Sequence, residues 1–128
     1  MNKIFRFLFL LFFNFFLISE QAFSDENKIK IGLLVPLSGD NKEIGKQIVK
    51  ATRMALKEIN SNKIEIYPRD TQSNPNKSLS SAIELSQIGI NLIIGPVFYD
   101  NLIYLDELSN ITFLSFTNKT LDLPKNVI

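Results

Sequence analysis

The stretch IKIGLLVPLSGD, residues 29–40, determines the fold of this chain. An apolar run, Ile29–Val35, stops at Pro36, passes through Ser38-Gly39-Asp40 and continues into a segment with apolar residues at helical spacing. This order predicts a strand, a tight loop and a helix, which form the opening unit of an open parallel sheet. Because such sheets bind ligands beyond the carboxyl ends of their strands, the loop marks the region where a site is expected.

The segment after this loop predicts a long amphipathic helix. Asp40 and Glu43 have the spacing of a capping box, in which each side chain bonds a backbone N–H of the first turn. Gly45 is expected to allow close packing of the helix on the sheet, and Asn60-Ser61-Asn62 ends the pattern. The apolar stripe consists of Ile44, Ile48, Ala51, Ala55 and Ile59.

Strands and helices continue to alternate along the rest of the chain. Further strands are predicted at 64–67, 91–95 and 112–116. The order βαβαβαβ with right-handed crossovers predicts an α/β domain, an open parallel sheet with flanking helices and strand order 2-1-3-4. Residues 126–128 predict the start of a fifth strand, and because the pattern stops there we expect a fragment of a larger domain.

Two further helices are predicted between these strands. One begins at Asn74-Pro75 and ends at Gly89, with Ser78, Ser80 and Ser81 expected on a solvated face. The other covers residues 99–109, where leucines recur at every third position.

Residues 1–24 have the organisation of a secretory signal peptide. Lys3 and Arg6 precede an apolar run at 7–18, and Ala22-Phe23-Ser24 predicts cleavage before Asp25. As a helix the apolar run would be about 18 Å long, whereas a bilayer core is about 30 Å thick. A cleaved signal and an exported domain over residues 25–128 are therefore expected, with an uncleaved membrane anchor as the alternative.

The composition excludes several classes of function. The chain has neither Cys nor His, so disulfides, a lipid-modified N-terminal Cys, the commonest general base and the thiol nucleophile are absent. Without residues 1–24, basic and acidic residues are equal in number, which argues against nucleic acid as a partner. Helix caps at Asp40 and Asp100 and a loop contact at Asp70 are favoured over a carboxylate site. We therefore predict no catalytic residue, no metal site, no cofactor and no enzyme activity.

The loops at the strand ends provide the candidate binding residues. In strand order 2-1-3-4 the order reverses between the first and third strands, where loops 38–40 and 96–99 lie; loop 115–118 follows the fourth strand. This order brings hydroxyl groups, an amide and aromatic rings to one crevice. A helix is predicted to begin near Tyr99, and the free backbone N–H groups of its first turn would suit a carboxylate group of a ligand. The alternative is that these are ordinary polar loop residues. Segment 39–46 is one residue too long for a phosphate-binding loop, and Gln47 follows it where that motif has Ser or Thr.

Several motifs resemble those of type I periplasmic binding proteins. They lie at 29–39, 45, 55–60, 69–71 and 93–96, and the nearest branch is that of the leucine/isoleucine/valine-binding proteins. Within the group, RDT (69–71), IGPVF (94–98) and SFTNKT (115–120) are most similar to the penicillin-binding protein activators. Those proteins are non-catalytic regulators of peptidoglycan synthesis on the same fold.

The resemblance implies that residues 25–128 are a partial N-terminal lobe of a two-lobed clamshell. In amino-acid-binding members, groups after the third and fourth strands hold the carboxylate and amine of the ligand. By position these are Tyr99, which stands where a small Ser is usual, and Thr117 with Asn118; Ser38 forms a wall of the same crevice.

Two functions follow from the resemblance. The first is exported, non-catalytic binding of an amino acid or similar small solute for transport or sensing, with a membrane transporter as partner. The second is regulation of a cell-wall synthase through protein–protein contact. Because a clamshell needs both lobes, residues 25–128 alone are expected to bind ligand poorly.

Overall fold

A computed structural model of the protein describes residues 28–119 and 122–128. The predicted signal peptide, residues 1–24, therefore lies outside the described residues. Within the described part of the chain, no helix is both long and apolar enough to cross a bilayer. The elements are β1 (Ile29–Val35), α1 (Lys42–Ile59), β2 (Ile64–Asp70), α2 (Pro75–Gln87), β3 (Leu92–Ile94), two 3₁₀ turns (Tyr99–Leu102 and Leu105–Glu107) and β4 (Thr112–Leu114).

The four strands form one parallel sheet in the order β2-β1-β3-β4, which confirms the predicted α/β class and topology. The predicted start of a fifth strand is also confirmed. Val127 forms a parallel bridge with Phe113, and the Ile128 N–H donates to the Phe113 carbonyl oxygen at 2.8 Å. The carboxyl ends of all the strands consequently lie at one edge of the sheet, where the candidate loops begin.

The main core lies between the sheet and α2. Leu34, Ile93 and Phe113 point to this side from three neighbouring strands, and each is 0% exposed. They pack with residues of α2 and of the segments that follow it, which exclude water from this face. These further core residues are Ala82, Leu85, Ile90, Leu102, Leu105 and Ile111.

On the opposite face of the sheet, α1 packs closely at one point. Gly45 is its buried residue, and a Cβ added there would lie 1.8 Å from the carbonyl oxygen of Pro36. The expectation that this glycine permits close packing of helix on sheet is confirmed. Ile44 and Ile59, from the predicted apolar stripe, remain 45% and 58% exposed. Leu114, on the same face of the sheet, is also exposed, because α1 covers only part of that face.

The predicted capping box at the start of α1 is wrong. The N-cap residue is Asn41 and not Asp40, and no side chain among the described residues caps the helix. A capping box needs its acidic residue at the third helical position, whereas Glu43 stands at the second. Its carboxylate instead pairs with the Lys46 ammonium at 2.9 Å.

The α-helix predicted at residues 99–109 is also wrong, because the segment forms two short 3₁₀ turns. Leu102 and Leu105 are three residues apart, which is the repeat of a 3₁₀ helix, and both are buried. Phe98, not Asp100, is the N-cap residue of the first turn, and no side-chain hydrogen bond caps it. The predicted capping role of Asp100 is therefore wrong as well.

The serines of α2 differ from their predicted exposure. Ser78 and Ser81 are buried, and only Ser80 is exposed. The Ser78 hydroxyl donates to the Asn74 carbonyl oxygen at 2.9 Å, and that of Ser81 donates to the Asp70 carbonyl oxygen at 3.0 Å. Both hydroxyls are paired with backbone, so their burial costs little.

The predicted start of α2 is confirmed, and it supports a test. Asn74 is the N-cap, and its side-chain oxygen accepts the Lys77 backbone N–H at 3.0 Å. We expect Asn74→Ala to lower the free energy of unfolding by about 1 kcal/mol, because this N–H loses its partner. Urea denaturation followed by circular dichroism measures the loss. Asn76→Ala, an exposed position inside the same helix, is the matched control; equal losses in the two variants would contradict a capping role.

Candidate functional site

The loop after β1 is held by the carboxylate at the end of β2. Asp70 Oδ1 accepts backbone N–H groups from Leu37 at 2.7 Å, Gln72 at 2.9 Å and Ser38 at 3.3 Å. Asp70 Oδ2 accepts the Ser38 hydroxyl at 2.6 Å. The loop-fixing role expected for Asp70 is therefore confirmed, and Ser38 is held in place through both its backbone and its side chain.

The hydrogen bonds also set the charge state of this carboxyl. Partial burial acts to raise the pKa of Asp70. The hydrogen bonds from the Ser38 hydroxyl and from the Leu37, Gln72 and Ser38 backbone outweigh that effect, so its pKa lies below the ordinary value. Asp70 is thus an ionised structural group whose oxygens are occupied by neighbouring donors.

A second pair of loops meets beyond β3 and β4. The Ser115 hydroxyl and the Phe116 N–H both donate to the Pro96 carbonyl oxygen at 3.2 Å. The Gly95 N–H donates to the Leu114 carbonyl oxygen at 2.7 Å. Gly95 has a φ of +105°, and a Cβ there would lie 2.3 Å from the Leu34 carbonyl oxygen, so glycine lets β3 end close against β1. These contacts place the two loops side by side.

Three residues of these loops form a small cationic and aromatic cluster. The Lys119 ammonium lies 3.9 Å from the centroid of the Tyr99 ring, a cation–π contact. The Lys119 backbone N–H donates to the Thr117 hydroxyl oxygen at 3.2 Å. Across residues 28–119 and 122–128, no carboxylate forms an ion pair with the Lys119 ammonium. The cluster therefore presents a positive charge that no carboxylate of the described residues balances.

The predicted site residues fall into two groups at this edge of the sheet. Ser38 is held beside Asp70, next to β2, whereas Tyr99 and Thr117 each contact Lys119 on the side of β4. The Asn118 side chain is exposed. Their roles in ligand binding stay predictions.

Sequence reasoning missed Lys119. The signal available was its position two residues after Thr117, in a turn rich in hydroxyl and amide groups. Its position over Tyr99 depends on contacts between separate loops, which a local motif does not contain.

A cavity of about 1020 Å³ has Tyr99 in its lining but none of the other predicted site residues. It lies between the 3₁₀ turns and residues 122–126, and its lining includes Asp100, Asp106 and Asp122 with Lys125. Three carboxylates against one ammonium make this cavity unfavourable for a ligand that carries a carboxylate. We therefore place the candidate site at the strand ends. Among the described residues, no group of three acidic side chains could hold a metal ion.

Comparison with known proteins agrees with this fold. The family model described as "Periplasmic binding protein" matches residues 28–106. A solved solute-binding protein of an ABC transporter from Rhodopseudomonas palustris, in complex with 3,4-dihydroxybenzoic acid, is 25% identical with a TM-score of 0.65. That match covers 70% of this chain and 27% of the other.

Two further proteins are similar to the chain. The C-terminal domain of LpoA from Haemophilus influenzae, a regulator of PBP1A, is 26% identical with a TM-score of 0.61, covering 77% of this chain and 31% of that one. An uncharacterized protein of Methanocaldococcus jannaschii is 34% identical over 87 residues, 62% of this chain and 21% of its own length. The chain thus spans about a fifth to a third of these relatives. The predicted resemblances, both to solute-binding proteins and to the activator branch, are confirmed.

Proposed function

The chain belongs to the periplasmic binding protein family, and from that premise we propose that it is part of a non-catalytic domain that binds a small carboxylate-bearing solute. The site is the crevice at the carboxyl ends of the strands, with Ser38, Tyr99, Thr117 and Asn118 as contact residues and Lys119 as the group that attracts the anion. An amino acid or an aromatic acid fits this description. We further propose that the protein is exported to the periplasm and that a membrane transporter receives its solute.

The observation that carries this proposal is the environment of Lys119. Its ammonium stacks on Tyr99 and has no carboxylate partner among the described residues. An ammonium in that state attracts an anion. The Thr117 hydroxyl, which already accepts the Lys119 N–H, keeps its own proton to donate to a carboxylate.

The relatives support the same chemical class. The Rhodopseudomonas palustris protein holds 3,4-dihydroxybenzoic acid, a ligand with one carboxylate on an aromatic ring. An aliphatic amino acid carries the same anionic group on a smaller, non-aromatic skeleton. The shared group is the one that an unpaired lysine at the strand ends would recognise.

Titration of the labelled chain with solutes tests this proposal. In ¹H–¹⁵N spectra, 3,4-dihydroxybenzoate and leucine at millimolar concentration should shift the amide signals of Tyr99, Thr117, Asn118 and Lys119. Millimolar affinity is expected because the chain supplies one side of a cleft. The methyl esters of the same ligands are matched controls, since they keep the body and lose the negative charge. Equal shifts from acid and ester, or no shifts in these residues, would contradict the proposal.

A second candidate function rests on the likeness to LpoA. The LpoA domain matches more of this chain than the dihydroxybenzoate-binding protein does, at similar identity. Tyr99 is half-buried against the core and Lys119 covers its ring, which reduces the space left for a solute. We therefore propose regulation of a peptidoglycan synthase as the alternative. Binding of a purified synthase that is unchanged by carboxylate solutes, together with a negative titration, would favour it.

A further inference from the structure

Helix α1 carries a row of cations along one flank. At 100° per residue, their side chains fall within an arc of about 80° on the helix surface, which is about 27 Å long. All of them are exposed. We call this row the basic stripe; it consists of Lys42, Lys46, Lys50, Arg53 and Lys57.

The charge of the stripe is largely uncompensated. Only Lys46 has an ion pair within the described ranges, and its partner Glu43 lies on the same exposed helix surface. Without residues 1–24, the chain carries equal numbers of basic and acidic residues. Five cations on one flank therefore represent a marked separation of charge, which creates a local positive field in a part of the chain that has no net charge.

Apolar groups lie directly beside these cations. Four of the stripe residues border a shallow groove of about 560 Å³ whose lining also includes Leu37, Val49, Met54 and Pro68. Met54 is 62% exposed. A helix with this arrangement offers positive charge to a surface and an apolar side chain to the layer just beneath it.

We propose that the basic stripe binds the surface of an anionic lipid bilayer. Four to eight cations on an amphipathic helix are typical of segments that bind acidic phospholipids. Four of the five cations here are lysines, which are compact, strongly hydrated point charges without the planar fork that arginine uses for directed contacts. Lysine is depleted in protein–protein interfaces, whereas it suits a fluid layer of headgroups.

Binding through the stripe is compatible with ligand binding in the crevice. The stripe runs along α1, whereas the crevice opens beyond the amino end of this helix, where loop 37–41 leaves β1. The bilayer would hold the domain at the membrane with its crevice open. Binding of the bilayer by the stripe does not depend on which solute the crevice holds.

A fluorescent label on α1 tests the proposal, because the chain has no native cysteine. Met54→Cys, labelled with an environment-sensitive fluorophore in the full chain, reports on α1 itself, whatever residues 1–24 do. With vesicles containing 30% phosphatidylglycerol in phosphatidylcholine, we expect a blue shift that pure phosphatidylcholine does not produce and that high salt removes. Ser80→Cys, exposed on α2, is the matched label position and should not respond.

A second experiment measures vesicle binding after part of the stripe has been neutralised. Lys50→Gln with Lys57→Gln removes two exposed charges, and it should weaken the vesicle affinity about 30-fold at low salt, taking each lysine at about 1 kcal/mol. Lys63→Gln with Lys125→Gln removes the same charge elsewhere and should leave the affinity within about threefold, since these lysines lie outside the stripe. Circular dichroism checks that both pairs fold.

Three outcomes would overturn the proposal. They are no response of the Met54→Cys label to anionic vesicles, equal responses from both label positions, and equal weakening by the two neutralised pairs. A salt-sensitive response to polyglutamate without one to vesicles would assign the stripe to an acidic protein instead.

Discussion

Replacing Gly45 with alanine is expected to lower the free energy of unfolding by about 3 kcal/mol, near the upper end of the range for overpacking. The added Cβ would lie 1.8 Å from the Pro36 carbonyl oxygen, a distance that backbone atoms cannot relieve without moving α1 off the sheet. Alanine would ordinarily stabilise a helix by about 1 kcal/mol relative to glycine, so the sign of the change is itself diagnostic. Urea denaturation followed by circular dichroism measures it.

Gln47→Ala is the matched control, because Gln47 is an exposed residue of the same helix. Its effect should stay within about 0.5 kcal/mol. A stability gain in Gly45→Ala would mean that α1 does not approach the loop after β1 as closely as described.

Removing the Asp70 carboxylate is expected to have a comparable effect. Asp70→Ala deprives three backbone N–H groups and the Ser38 hydroxyl of their acceptor. Hydrogen bonds to charged groups contribute about 1.5–3 kcal/mol each, but these share one carboxylate and are partly solvated. We expect a net loss of about 3 kcal/mol in chemical denaturation, with the 37–38 loop released from β2. Asp106→Ala, an exposed carboxylate, is the control and should change stability by less than about 0.5 kcal/mol.

The same carboxylate makes stability depend on pH. The pKa of Asp70 is lower in the folded state than in the unfolded chain, so its contribution is fully present above the ordinary aspartate pKa of about 4. That contribution is lost as the pH falls through the lower, folded-state pKa. Asp70→Asn keeps the shape of the side chain and removes its titratable carboxyl group. The loss of stability at acid pH should therefore be smaller in this variant than in the unsubstituted protein. An equal loss of stability at acid pH in the two proteins would contradict the assignment.

Most of the fold could be predicted because its signals are local or periodic. A few consecutive residues are enough to predict the apolar strand at 29–35, the cap at Asn74 and the left-handed conformation of Gly89. Residues 99–109 could not be predicted as 3₁₀ turns, because leucines at every third position also suit an α-helix and tertiary packing decides between the two. The end of β2 was missed because Pro68 reads as a strand break, although an edge strand tolerates it.

The position of the candidate loops at the sheet edge could be predicted from the sequence, whereas the contacts among them could not. Strand order alone located the edge of the sheet where the loops meet. The bond from Ser38 to Asp70 joins residues 32 apart, and the contact of Lys119 with Tyr99 joins two loops. Such pairs depend on the exact ends of neighbouring strands, which sequence patterns define least well.

The hydrogen bond of Ser38 separates hydrogen-bond acceptors from donors among the candidate loops. A hydroxyl that donates its single proton to Asp70 has none left for a solute, so toward the crevice its oxygen acts as an acceptor. On the side of β4, the Lys119 ammonium and the Thr117 hydroxyl are donors. For the solute that we propose, this arrangement favours one orientation, with an ammonium or hydroxyl group toward Ser38 and the carboxylate toward Lys119.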